Sequence, residues 1–305
     1  MKKAVNNNSL DVAVIGNIGI DTNVYFQNGN INFDVETNFT EDIDYVGQAG
    51  GYTSRGFSKL GYKTAFIGYI GDDFSGKFIL DELHKDDINT DGIFIDPAGT
   101  SRSVNLMYQN GKRKNFYDGK SHMTLSPDLE ACRQILQKTK LAHFHIPNWA
   151  RHLLPIAKEL GIIISTDIQD VIDINDPYRA DFIAYSDVVF FSSVNQKSPD
   201  DIMNEILNVY PEKIVISGRG EKGVAVGTKD GIQYFEPIKM NHKIIDTNGA
   251  GDGLAVGFLT GYFFENLGLE KSIEAGQTVA RYTCGLKANS SDLMNRELLN
   301  SFLKK

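Results

Sequence analysis

The chain has 305 residues, 41% hydrophobic and 23% charged. That is the make-up of a soluble globular protein long enough to bury one large core or two modest ones, and it excludes a disordered or fibrous chain. With 31 Lys and Arg against 39 Asp and Glu the formal charge is −8, so a nucleic-acid partner would meet overall repulsion and is not expected.

The two cysteines, Cys132 and Cys284, form no CxxC pair and no disulfide framework, which favours a reducing compartment, with the cytoplasm as the expected location. The basic start Met1-Lys2-Lys3 runs into Asn6-Asn7-Asn8 rather than an apolar run. No signal peptide is expected, the mature chain should begin near Met1, and no stretch reaches the roughly 18 apolar residues of a membrane span.

In chain order, short β-rich runs cover 11–15, 64–70, 141–146, 161–165, 188–191 and 213–217. Helical spacing of apolar residues covers 52–60, 78–84, 152–160 and 201–209. Strand–helix alternation of this kind predicts an α/β fold with a largely parallel sheet covered by helices on both faces. No internal repeat, low-complexity tract or linker marks a boundary, so one domain over residues 1–305 is the reading.

Two Asn-Gly pairs interrupt the alternation, Asn28-Gly29 within 24–33 and Asn110-Gly111 between 103–108 and 114–117. Both carry the hairpin signal. The two hairpins either form a flap over the carboxyl edge of the sheet, where open α/β sheets bind ligands, or are surface hairpins with no shared role. The run Lys112-Arg113-Lys114 at the second tip reads as a solvated charge cluster.

Three glycine segments compete as a phosphate cradle. Gly71-Asp72-Asp73-Phe74-Ser75-Gly76-Lys77-Phe78 has the glycines and lysine of a P-loop. It lacks the hydroxyl residue after the lysine that holds Mg²⁺, and its two aspartates would repel a triphosphate. Gly218-Arg219-Gly220-Glu221-Lys222-Gly223 spells GxGxxG, but Val224 to Gly227 continues as another strand instead of opening a helix, so the dinucleotide reading fails on context.

The third segment is Asp246-Thr247-Asn248-Gly249-Ala250-Gly251-Asp252-Gly253. A short strand is expected at 243–245, and helical spacing runs from Leu254 to about Phe264. Gly249 to Gly251 then turn into a helix N-terminus, where backbone N–H groups and the helix dipole favour an anion. Asp252 in the first turn sits beside that anion. A carboxylate so placed makes sense as the base for a hydroxyl attacking phosphorus, and phosphoryl transfer is favoured over the alternative of a purely structural turn whose acid is there only for the helix dipole.

These residues resemble the C-terminal signature D-T-x-G-A-G-D of the ribokinase-like (PfkB) carbohydrate kinase family. Further similar elements are 14–21 with Asn17 and Asp21, 47–51 leading into 58–61, and 67–76. The resemblance implies a three-layer sandwich with a mainly parallel central sheet plus a small β lid built from about 22–46 and 100–118. It implies Asp252 as the base and Gly249, Ala250 and Gly251 as an anion hole. Substrate would be bound by Asp21, Asn17, Gly47, Gly50, Gly51 and Tyr52, and ATP by Ser217, Gly218, Gly220, Gly223 and Asn248. It also implies Mg²⁺ on the ATP phosphates, a monovalent cation such as K⁺ beside Asp246, and pairing of two copies through the lid as a homodimer.

Departures from the family pattern bear on the substrate. Gly47-Gln48 and then Tyr52 stand where many members have two glycines and an asparagine, so a bulky phenol replaces an amide. The N-x-x-E segment that organises Mg²⁺ corresponds to Ser193-Val194-Asn195-Gln196, without a carboxylate, and no protein ligand to Mg²⁺ is assigned. Phe116-Tyr117-Asp118-Gly119 is similar to nucleoside-phosphorylating members, in which a lid aromatic stacks on a base; packing inside the hairpin is the alternative for Tyr117. The expected acceptor is a primary hydroxyl of a sugar, with a nucleoside as the rival within the family. A nicotinamide oxidoreductase and a catalytically silent sugar-binding protein are the rivals outside that activity.

Overall fold

A computed structural model describes residues 9–108, 113–171, 173, 176–193 and 198–303. The strands are β1 (Leu10–Ile15), β2 (Gly19–Phe26), β3 (Thr40–Gly47), β4 (Thr64–Ile70), β5 (Asn89–Ile95), β6 (Ser101–Met107), β7 (Arg113–Asp118), β8 (Thr139–Phe144), β9 (Ile163–Asp170), β10 (Val188–Ser192), β11 (Ile214–Gly218), β12 (Val224–Thr228) and β13 (Gly231–Phe235). The helices are α1 (Gln48–Lys59), α2 (Phe74–Lys85), α3 (Leu129–Leu136), α4 (Leu154–Glu159), α5 (Pro177–Tyr185), α6 (Asp200–Val209), α7 (Ala250–Leu259), α8 (Leu269–Thr283) and α9 (Arg296–Leu303).

Nine strands form the main sheet in the order β13-β12-β11-β10-β9-β8-β1-β4-β5. From β11 to β5 neighbouring strands run parallel, while β12 and β13 add an antiparallel hairpin at one edge. Period-two alternation splits each strand between two cores. Ala13 and Ile15 pack with Cys132, Trp149, Leu154, Phe182 and Ile202 from the α3–α6 side. Val12 and Val14 pack with Phe57, Ile79, Phe258, Ile273 and Leu299 from the side of α1, α2 and α7–α9. A parallel sheet buried on both faces needs apolar residues at every position, which is why these strands read as continuous apolar runs. The result is a three-layer α/β sandwich with a mainly parallel central sheet.

The expected strand at 64–70 is β4, and the other expected strands of the main sheet agree to within a few residues at their ends. No strand forms at 243–245: Ile244 is 60% exposed, and the Ile245 N–H donates to the carbonyl of Cys284 at 2.8 Å. That segment has no neighbouring strand to pair with, so its β-forming residues run as an extended connection.

A second sheet of four strands, ordered β3-β2-β6-β7, stands apart from the first. It contains the two expected lid segments, but one turn differs from expectation. The strand β2 pairs with β3 across a connection of residues 27–39, so Asn28-Gly29 only closes a turn at the end of β2, with Gly29 N–H on the Phe26 carbonyl at 2.9 Å. The second hairpin pairs Met107 with Arg113 and Arg102 with Asp118; its Asn110-Gly111 lies outside the described residues. The parallel pairing of β2 with β6 joins the two hairpins into one sheet.

β1 is flanked by β8 on one side and β4 on the other, so the chain winds away from it in both directions. That is the topological switch point at whose carboxyl edge open α/β sheets hold ligands.

Candidate active site

Asn17 and Asp21 follow β1 at this edge, His145 follows β8, Asp167 lies near the end of β9, and Asp252 is in the first turn of α7. One ligating atom from each of His145, Asp167 and Asp252 lies within 4.8 Å of the others.

The α7 N-terminus has no side-chain cap: Gly249 is its N-cap, in the left-handed region at φ 75°. A side chain there would be strained, and its Cβ would lie 2.3 Å from the Tyr52 ring, so glycine is required by the chain itself. Gly251 is different. A Cβ there would meet only Asp167 Oδ2, at 4.0 Å, and would project into open space. Nothing in the protein's own packing demands glycine at 251.

Asp252 is half-buried. Burial pushes its carboxyl well above the usual carboxylate range, the charge of Asp167 adds to that, and the Arg113 guanidinium opposes it. Asp167 is pushed up to about 6 by burial, against a hydrogen bond from the Gln169 N–H at 2.8 Å. Burial holds the His145 imidazole neutral, its pKa down to about 3. Its Nε2 faces Thr53 Oγ1 at 3.0 Å, and its buried Nδ1 has no partner among the described residues.

Asp21, 5% exposed, accepts from the Gln48 N–H at 3.2 Å through Oδ2, while its buried Oδ1 has no partner. Burial raises it to about 6. Gly47 is the N-cap of α1, Gly50 N–H donates to the Asn17 carbonyl at 2.9 Å, and Gly51 is buried behind them. The Asn17 amide donates to the Tyr117 hydroxyl, so Tyr117 reaches from the lid to the floor of the cleft. Tyr52 does not present its hydroxyl to this cleft. It is 5% exposed, its ring lies beneath Gly249, and its hydroxyl bonds that of Tyr45 at 3.2 Å. The phenol that replaces the family's amide therefore supports the glycine turn, because a ring fills the space that the missing Cβ leaves.

Ser217 Oγ donates to Ser193 Oγ at 2.7 Å, and Gly218, which ends β11, faces Leu254 of α7. Gly220 and Gly223 shape the tight turn into β12, antiparallel to β11 with Gly218 opposite Val224. Asn248 is buried, and its Nδ2 has no partner among the described residues. Of the segment 193–196, residues 194–196 lie outside the described residues.

The near-P-loop at 71–78 is a helix cap. Asp73 Oδ1 accepts from Gly76 N–H at 2.8 Å and Thr100 Oγ1 at 2.7 Å, and Oδ2 accepts from Thr100 N–H at 2.8 Å. Lys77 is exposed.

Asp246 accepts from Asn23 Nδ2 at 2.7 Å and the Tyr25 hydroxyl at 3.4 Å on Oδ2, and from the Asn248 N–H at 2.8 Å on Oδ1. Both carboxylate oxygens of Asp246 thus already accept hydrogen bonds from neighbouring donors. Arg113 is exposed, as its charge run suggests, but its Nη1 donates to Thr247 Oγ1 at 3.0 Å.

A glycine-framed helix N-terminus with an acid in its first turn, at a switch point beneath a β lid, is the constellation expected of a phosphotransferase of the carbohydrate kinase class. The pfkB family carbohydrate kinase model matches residues 9–294, and the chain belongs to that family.

Acarbose 7(IV)-phosphotransferase of Actinoplanes sp. is 24% identical over 294 residues, covering 95% of this chain and 97% of that protein. A 5-dehydro-2-deoxygluconokinase of Clostridium botulinum is 25% identical, covering 96% and 93%. Among solved structures, a microbiome-derived acarbose kinase superposes with a TM-score of 0.87 at 26% identity, covering 97% of this chain and 99% of that one. An Arabidopsis thaliana ribokinase solved with ribose and ATP gives 0.81 at 17% identity, covering 97% and 99%; at that identity it speaks for the fold alone. No helix among the described residues is long and apolar enough to cross a membrane.

Proposed function

We propose that this chain transfers the γ-phosphoryl group of ATP to a primary hydroxyl of a sugar, with Asp252 as general base and the amides at Gly249, Ala250 and Gly251 as the anion hole. The observation that carries this reading is the open space at Gly251. A glycine that the protein's own packing does not require, at an uncapped helix N-terminus, leaves room for an anion to approach the backbone.

In the reaction the sugar oxygen forms a bond to Pγ as the bond from Pγ to the β–γ bridging oxygen breaks. The sugar's proton passes to Asp252, and ADP leaves with the electron pair. The amides at 249–251 stabilise the charge that spreads over the transferring oxygens.

Asp21, whose buried Oδ1 lacks a donor, accepts a sugar hydroxyl; Asn17 and the segment Gly47, Gly50 and Gly51 line the same floor. Ser217, Gly218, Gly220, Gly223 and Asn248 form the ATP side. Mg²⁺ on the ATP phosphates would offset their charge, and the open Asp167 Oδ2 beside Gly251 fits a metal's preference for carboxylate oxygen. We take the cytoplasm as the site of action and the lid as the surface through which two copies would pair.

A sugar is favoured over a nucleoside because Tyr117 is tied to Asn17 rather than left free to stack on a base. The test is phosphate transfer from ATP to acarbose, fructose, ribose and adenosine, and a preference for adenosine would reject the sugar assignment. Asp252→Asn should lower kcat by about 10² to 10⁴ while the Mg·ATP-induced rise in melting temperature persists. Near-normal turnover would remove Asp252 as the base.

A further inference from the structure

We propose that Arg113 is a catalytic residue, a cation that the lid lays against the transferring phosphoryl group. The assignment rests on the phosphoryl-transfer reading above.

Its basis is the inner face of β7. In register, Arg113 stands opposite Met107, Asn115 opposite Asn105 and Tyr117 opposite Ser103, so the three alternate residues share one face of the lid. Each is tied toward the cleft. Tyr117 meets Asn17. Asn115 Nδ2 donates to Asn105 Oδ1 at 2.9 Å, Asn105 Nδ2 to Asn23 Oδ1 at 2.9 Å, and Asn23 Nδ2 to Asp246 Oδ2 at 2.7 Å. This amide ladder crosses three lid strands and ends on the carboxylate that holds the Asn248 N–H. Arg113 reaches Thr247 Oγ1 at 3.0 Å, two residues before Gly249. The lid is thereby docked on the loop that leads into the anion hole.

Charge supplies the reason for an arginine there. Asp21, Asp167, Asp246 and Asp252 gather four carboxylates around a place proposed for the phosphates of ATP, and that repulsion must be offset. The Arg113 charge acts favourably on both Asp21 and Asp252. A guanidinium also has donors to spare. The bond to Thr247 uses one N–H, leaving others for the equatorial oxygens as charge builds on them. The same charge opposes the burial that raises the Asp252 carboxyl, and so favours the ionised form that a base needs.

The experiment compares Arg113→Gln and Arg113→Lys with wild type, using the panel sugar that wild type turns over. Lys114→Gln is the control, because Lys114 lies on the same strand but opposite Leu106, on the outer face. Arg113→Gln should lose at least tenfold in kcat, with KM for ATP changed less than about threefold. Added guanidinium ion should restore part of that rate in Arg113→Ala and none in Asp252→Asn. The extra rise in melting temperature that ADP, Mg²⁺ and aluminium fluoride give over ADP and Mg²⁺ should vanish in Arg113→Gln and persist in Lys114→Gln.

Wild-type kcat in Arg113→Gln, or a loss confined to KM, would overturn the assignment. So would an unchanged aluminium fluoride increment, which reads the folded variant directly. If wild type itself transfers no phosphate and gains no stability from Mg·ATP, the proposed function fails first and takes this assignment with it.

Discussion

Asp21→Asn should stabilise the fold while damaging the enzyme, and the stability gain should depend on pH. The carboxyl of Asp21 is 5% exposed, has one oxygen without a partner, and is raised from 3.8 to about 6. Between those two values the folded chain keeps a proton that the unfolded chain has released, so wild-type stability falls as pH rises through this window. A displacement of that size corresponds to ~3 kcal/mol, the full cost being present above pH 6 and absent below about 4. Asparagine keeps the shape and an oxygen for the Gln48 N–H, and carries no charge.

Urea unfolding of wild type and Asp21→Asn at pH 4, 5, 6, 7 and 8 should therefore give curves that diverge with rising pH, the variant being more stable by a few kcal/mol at pH 8. The same variant should raise KM for the sugar, because the hydroxyl acceptor is weakened. A stability difference that is flat across pH, or a variant less stable at pH 8, would refute the claim that Asp21 is held ionised against its environment for substrate.

The two glycines of the turn should separate cleanly. Gly249→Ala forces a left-handed alanine against the Tyr52 ring and should cost a few kcal/mol of stability, read as a lowered denaturant midpoint. Gly251→Ala meets open space and should leave stability unchanged or raise it by up to ~1 kcal/mol, while the Mg·ATP-induced melting shift collapses; a retained shift would remove the anion hole. Away from the site, Arg55 is buried and bonds Asp86 at 2.6 Å, Glu82 at 3.0 Å, Ser290 at 2.9 Å and Ser291 at 3.0 Å. Arg55→Ala should destabilise by about 2–4 kcal/mol, because Ser290 loses its charged partner and buried Asp86 is left with Lys59 alone, and a loss under 1 kcal/mol by urea unfolding would show the cluster to be dispensable.

The elements written in contiguous residues were legible without coordinates. Strand–helix alternation betrayed the layered sheet, because a strand buried on both faces must be apolar throughout. The turn at 249–252 was legible because its amides, glycines and acid are neighbours in the chain, and helix geometry alone brings them together. The misreadings came from signals with more than one use. Asn28-Gly29 reads as a hairpin but closes only a local turn, since the partner of β2 begins only after a connection of thirteen residues. Lys243 to Ile245 has strand-forming residues but no strand to pair with. Arg113 is exposed as its charge run suggests, and only the register of β7 shows that it shares a face with Asn115 and Tyr117 and reaches Thr247.

What the sequence alone determined is thus the local arrangement: an uncapped, glycine-framed helix end with a carboxyl beside it, on an α/β scaffold. What only tertiary structure decided is which distant groups meet there. His145, Asp167 and Asp252 come from three separate segments, Tyr52 fills the space under Gly249, and the amide ladder from Asn115 ends on Asp246. Those contacts depend on the order of strands in two sheets and on the docking of one sheet over the other. They arise from the burial of whole faces, which no short window of residues encodes.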